Sequence, residues 1–236
     1  MHYIRKASDR GHANFGWLNS FHSFSFGQYY DPKHMGFSAL RVINDDTVAG
    51  GNGFGAHGHD NMEIISYVTK GSIIHKDSMG NHFTIPAGDV QRMSAGTGIM
   101  HSEFNASDTD ELKFLQIWIQ PNQRNVQPSY AQATIAQNES LTPLVTPTGE
   151  GQSLSIHADV SIHRLHLDSQ QSITLARATP QSDTRVKYLH IVEGSVELDG
   201  ETFSAGDGIG VHKVDEITLK AQEDLIALWF DLPNAH

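Results

Sequence analysis

Tyr67-Val68-Thr69-Lys70-Gly71-Ser72-Ile73-Ile74 is echoed in the second half of the chain by His190-Ile191-Val192-Glu193-Gly194-Ser195-Val196-Glu197. The echo continues, because Ile85-Pro86-Ala87-Gly88-Asp89 matches Phe203-Ser204-Ala205-Gly206-Asp207. Each match follows a turn, Asp77-Ser78-Met79-Gly80 in one copy and Asp199-Gly200 in the other. Both copies read as strand, glycine, strand, turn, strand, Ala-Gly-Asp, strand. Runs rich in β-branched and aromatic residues, bounded by Gly, Pro, Asn and Asp, form strands, and a repeated hairpin unit implies a repeated barrel.

Working outward, further strands are expected at 39–43, 63–68, 112–119, 186–192 and 226–230. Helical periodicity is weak; the best candidate for a helix is the short stretch 129–133 after Pro128, and little helix is expected. The polar stretch 142–153, with Pro143, Pro147, Gly149 and Gly151, reads as part of the join or just past it. The expectation is an all-β chain of two tandem small barrels, residues 1–132 and 133–236.

The 236 residues carry 16 Lys+Arg against 27 Asp+Glu, a formal net charge of −11. An acidic surface repels phosphate backbones and anionic headgroups, which argues against nucleic acid and membrane as partners. With no cysteine there are no disulfides, thiolate nucleophiles, iron–sulfur clusters or cysteine zinc sites, so any metal must use histidine and carboxylate. The N-terminal residues lead into polar sequence rather than an apolar signal core, and no apolar run is long enough to span a bilayer, so the expected compartment is the cytoplasm.

Fifteen histidines make about one His-x-His pair expected by chance, so His57-Gly58-His59 needs context. In a strand, residues i and i+2 face the same side, so both imidazoles can reach one point. A second alternating pair, His101 and Glu103, follows the loop Ala95-Gly96-Thr97-Gly98. Two strands of one barrel would then contribute three imidazoles and one carboxylate, a set suited to a divalent first-row metal with coordination positions left over.

These residues bring a resemblance into view. Gly51, His57-x-His59-x-x-x-Glu63, then Gly80, Pro86-x-Gly88, His101 and Asn105 resemble the two motifs of the cupin superfamily. Gly71 falls one residue later than the general first motif has it, and the stretch from Gly88 to His101 is longer, departures that resemble the pirin branch. Asn14-x-Gly16-Trp17-Leu18, His22-x-Phe24-Ser25-Phe26, Leu40-Arg41-Val42-Ile43-Asn44-Asp45-Asp46 and Met93-Ser94-Ala95-Gly96-x-Gly98-Ile99-x-His101-Ser102-Glu103 are similar to that branch too. The resemblance is dense in the first half and loose in the second, and is to pirin-like proteins of the quercetin 2,3-dioxygenase type.

The resemblance implies a bicupin, two double-stranded β-helix (jelly-roll) barrels, with a metal only in the first. It makes His57, His59, His101 and Glu103 the ligands and leaves Glu63, a ligand in the general cupin pattern, as a strand residue. It implies dioxygenase activity on a flavonol such as quercetin, with carbon monoxide release and Glu103 as proton acceptor. Iron(II) is the first choice of metal, though zinc, manganese, cobalt, nickel and copper accept the same ligands. Two other readings stay open: a metal-bearing module that binds a protein partner, as eukaryotic pirins do, and a metalloenzyme acting on another small molecule. Two barrels in one chain can cover each other, which is compatible with a monomer.

In the second half, alignment of Gly71 with Gly194 puts Pro180 and Ser182 at the positions of His57 and His59. His157, His163, His166, His190 and His212 therefore read as strand-face or surface residues. Trp17, Phe21, Phe24, Phe26, Tyr29 and Tyr30 read as core packing, although a planar substrate could stack on them. Phe37, Met62, Met93, Met100 and Phe104 read as closest to the cavity, with Met100 opposed by strand alternation.

Overall fold

The computed structural model describes residues 2–176, 185–212 and 216–234. It is built almost wholly of strands; the helical element among these residues is a single 3₁₀ turn, Ala7–Asp9. No helix is long and apolar enough to cross a membrane among the described residues.

Each half folds as a large sheet facing a small one. In the first barrel, seven strands lie in the order Ser129–Thr134, Asp89–Ser94, Glu63–Lys70, Leu112–Ile119, Leu40–Val48, Leu18–His22, Gly11–Asn14. The facing sheet has Gly53–His59, Ile99–Asn105, Ser72–Asp77 and His82–Pro86. The second barrel repeats the plan. Its large sheet includes Gly208–Val211, Arg185–Glu193, Leu225–Pro233 and Ser161–Leu167, and its small sheet Ser172–Ala176, Glu216–Ala221, Ser195–Leu198 and Glu201–Ser204. The chain is stitched across the join, because Tyr3–Arg5 pairs with Gly208–Val211 at the edge of the second large sheet.

The two large sheets pack back to back. Ile43, Ile65, Tyr67, Leu115 and Ile117 of the first share one core cluster with Ile162, Tyr188, Leu228 and Phe230 of the second. The first large sheet is thus buried on both faces, which explains why Glu63 to Val68 are buried without alternation. One face turns toward the second barrel and the other toward the barrel interior.

One expectation is corrected here. Residues 129–133 form no helix: they lie in the Ser129–Thr134 strand, in register with Asp89–Ser94. Tyr130 is thereby stacked over Phe83 and His75, tertiary contacts that override a weak helical pattern. The polar stretch 142–153 begins inside the second barrel, because Leu141–Thr146 is a strand of the second large sheet, with Leu144 and Val145 fully buried.

Candidate metal centre

Alternation along Gly53–His59 turns His57 and His59 to the same side, and Ile99–Asn105 pairs antiparallel with it so that His101 lies opposite His57. A bulge follows, setting Glu103 against Phe54. Gly53 makes this approach feasible: a Cβ there would lie 2.5 Å from the Glu103 carbonyl oxygen and the Phe104 Cα.

The three imidazoles converge, with ring centroids 4.5 Å apart for His57 and His101, 4.8 Å for His57 and His59, and 4.9 Å for His59 and His101. Their ligand atoms lie within 4.8 Å of one another. His57 donates its Nδ1–H to the Gly55 carbonyl at 2.7 Å, which fixes the tautomer and leaves Nε2 with its lone pair. Both ring nitrogens of His101 are buried without a hydrogen-bond partner. A buried polar atom left unpaired costs free energy unless something binds it, and a divalent ion fits that need. Burial, then the neighbouring imidazoles, push His101 down to about 3 and His59 down to about 4, so both offer the neutral rings that metals require.

Glu103 is fully buried, and burial raises its carboxyl above the ordinary value against the opposing influence of His75 and Ser66. Its Oε1 accepts from Ser66 Oγ and Gln91 Nε2, both at 3.1 Å, and its Oε2 accepts from Gln116 Nε2 at 2.9 Å. The structure therefore brings three of the four expected ligands into one group. Glu103 stands in a second group, with His75 and His101, that shares His101 with the first. Glu63 is in neither group; it is buried and accepts a hydrogen bond from Ser94 Oγ at 2.8 Å.

The donors to Glu103 belong to a polar belt. His22 pairs with Asn44, Asn44 with Gln116, Gln116 with Ser66 and Ser66 with Gln91, one residue from each of five neighbouring strands. Sequence reasoning missed these residues. Their available signal is a polar side chain at an inward position of an otherwise apolar strand, as in Ile64-Ile65-Ser66 and Leu115-Gln116-Ile117. It also missed His75. That ring is fully buried, bonded through Nε2 to Asp77 Oδ2 at 3.0 Å and stacked on Tyr130 with centroids 4.4 Å apart.

Beside the imidazoles opens a cavity of about 760 Å³, within the range of small-molecule sites. Its walls include Trp17, Phe26, Tyr29, Phe54 and Trp118 together with His57 and His59. The N-terminal aromatic segment thus divides: Trp17, Phe26 and Tyr29 face the cavity, Phe24 joins the inter-barrel core, and Tyr30 is exposed. The second expected set is corrected. Phe37 packs between the barrels, Met62 and Met93 belong to a separate apolar cluster, and Met100 and Phe104 are exposed. The last two sit one residue from His101 and Glu103, which face inward, so alternation turns them outward.

In the second half, the converging groups found among the described residues include no histidine. His190 is buried, His163 half-buried and His166 exposed. Pro180 and Ser182 lie outside the described residues.

Comparison with known proteins agrees with this architecture. The family described as Pirin matches residues 4–119, and that described as the quercetinase C-terminal cupin domain matches residues 143–232. The chain is 45% identical over 234 residues to a protein of Escherichia coli named quercetin 2,3-dioxygenase, covering 99% of both chains. It is 38% identical to a pirin-like protein of Caulobacter vibrioides, covering 93% of this chain and 95% of that one. Among solved structures it is similar to YhhW from Escherichia coli, with a TM-score of 0.95 and 44% identity over 100% of this chain and 99% of that one. It is similar also to the bacterial pirin YhhW in complex with nickel(II), with a TM-score of 0.94 and 43% identity over 100% of both.

Proposed function

The chain belongs to the pirin family of the cupin superfamily, and from that premise we propose that it is a quercetin 2,3-dioxygenase-type enzyme whose metal is held by His57, His59, His101 and Glu103. The observation that carries the reading is the convergence of three imidazoles beside an aromatic cavity, one of them, His101, buried with both ring nitrogens unpaired. The nickel(II) complex of the Escherichia coli relative supports a divalent occupant, and iron(II) is the native ion we assign.

When bound, such an ion supplies a Lewis acid for the 3-hydroxyl and 4-carbonyl oxygens of a flavonol and an electron path to dioxygen. The protein supplies the rest. Trp118, whose ring meets His59 edge-on at 5.0 Å, and Phe26, Tyr29, Trp17 and Phe54 offer flat apolar surfaces to a planar ligand and keep water out. Glu103 accepts the proton of the 3-hydroxyl, a task suited to a carboxylate whose affinity for protons burial has raised. Ser66, Gln91 and Gln116 hold that carboxylate in place through both oxygens. In the net reaction both atoms of dioxygen enter the opened ring and one ring carbon leaves as carbon monoxide.

The test is elemental analysis of the purified protein, then anaerobic addition of quercetin to wild type and a His57→Ala/His59→Ala variant, followed by air. A spectral shift on binding, carbon monoxide in the headspace after air, and loss of both in the variant are expected. Stoichiometric metal with neither shift nor turnover would leave the centre in place and overturn the flavonol assignment.

A further inference from the structure

One wall of the cavity is not aromatic. Ser20 and Asp46 face each other across neighbouring strands, as do His22 and Asn44 one step along, and all four are buried side chains that line the cavity. Ser20 Oγ donates to Asp46 Oδ1, and among the described residues this is the one hydrogen bond that the carboxyl receives. His22 donates Nδ1–H to Asn44 Oδ1 at 2.8 Å, so its Nε2 carries a lone pair with no hydrogen-bond partner among the described residues. The Phe26 and Tyr29 rings flank the imidazole at 5.4 and 6.3 Å and hold its plane.

Two acceptors on the wall of a largely aromatic cavity select for a ligand that brings hydroxyl donors, because a ligand lacking them covers both and leaves them unpaired. Their location is informative. Asn44 and Asp46 lie one strand away from Gln116, the residue that reaches Glu103, and Ser20 and His22 lie two strands away. At the usual spacing between strands that is roughly 5–10 Å, about the span of one further aromatic ring.

We propose that Asp46 and His22 are specificity-determining residues that accept hydrogen bonds from phenolic hydroxyls of the substrate, on rings beyond the pair of oxygens that face the metal. The inference rests on the flavonol reading and sharpens it: the preferred ligand is a polyhydroxylated planar aromatic, and the bare chelating skeleton is a poor one.

The experiment measures dissociation constants anaerobically, by quenching of tryptophan fluorescence in the metal-loaded protein. The probes are 3-hydroxyflavone, which keeps the chelating oxygens and lacks every other hydroxyl, then galangin and quercetin, which add hydroxyls on one ring and then the other. Wild type is expected to bind quercetin at least about 10-fold more tightly than 3-hydroxyflavone, the effect of one hydrogen bond to a buried carboxyl. In Asp46→Ala that preference shrinks toward unity while the affinity for 3-hydroxyflavone and the metal content hold, and Asp46→Asn restores part of it. His22→Phe serves as the second variant should Asp46→Ala fail to fold. Equal binding of all three by wild type, or a preference that survives in both Asp46→Ala and His22→Phe, overturns the proposal alone. Failure of metal-loaded wild type to bind any of the three overturns the flavonol reading, and this assignment falls with it.

Discussion

At the same level of their large sheets, the two barrels carry opposite chemistry. In the first, Asn44, Gln116, Ser66 and Gln91 run across four neighbouring strands and point inward. In the second, the equivalent register row is His163, Trp229, Leu189 and Ile209. The last three belong to that barrel's apolar core. The small sheets differ in the same way. Asn105 pairs with Ile73, and its counterpart Ala221 pairs with Val196, so Ile217 and Leu219 occupy the positions of His101 and Glu103.

The backbone plan therefore does not require a site, and it does not confer one. A belt of buried amides and hydroxyls costs free energy unless each group is paired, and in the first barrel Glu103 accepts from three of them. Where Ile217 and Leu219 stand in place of His101 and Glu103, a belt would have no partner, and hydrocarbon fills the space.

The largest effect on this contrast is expected from removing its centre. His101→Ala should lower metal content and cut turnover by at least about 100-fold, while Ile217→Ala leaves turnover intact and costs about 2–4 kcal/mol of stability. Elemental analysis, steady-state kinetics and urea unfolding separate the two. Retained metal in His101→Ala would break the comparison.

Transplanting polarity the wrong way comes next. Leu189→Ser puts the Ser66 side chain into the second barrel, where no carboxylate receives it, and should cost about 3 kcal/mol with turnover unchanged below the melting transition. The reciprocal change, Gln116→Leu, leaves Glu103 Oε2 without its donor. It should lower kcat by about 10–100-fold while the fold persists. Equal kcat in this variant would mean that the belt is structural only.

A pH contrast is smaller. Where the first copy of the repeat has Tyr67, the second has His190, which burial pushes down to about 3 from its ordinary 6.5. The folded state thus holds the neutral ring, so its contribution is complete above pH 6.5 and is lost as pH falls toward 3. In urea unfolding, His190→Leu should flatten the decline of stability between pH 6.5 and 4.5 by roughly 1 kcal/mol per pH unit. Identical slopes would place the acid sensitivity elsewhere. The smallest effect belongs to Met100→Ser: the side chain faces solvent beside His101, and stability and turnover should stay within about 0.5 kcal/mol of wild type.

Much of this was legible in the chain. Two echoed hairpin units with Gly71 and Gly194 at matching points were enough for two barrels, because strand alternation and turn chemistry are local. The pairing of His57 with His59 and of His101 with Glu103 was legible for the same reason, since i and i+2 on a strand share a side. The 129–133 stretch was misread because its weak pattern is settled by pairing with Asp89–Ser94, a contact that local periodicity does not encode.

The sequence by itself determined the all-β class, the repeat and the ligand-type side chains, all of which follow from spacing along one strand. Only the tertiary structure decided which strands lie next to one another. That adjacency gathers Ser66, Gln91 and Gln116 onto Glu103, draws His75 in beside it, and turns Asp46 and His22 into the cavity while Phe37 goes to the barrel interface. The physical reason is that neighbours across a sheet are set by topology and register, which couple residues far apart in the chain, whereas a sequence displays only the neighbours along it.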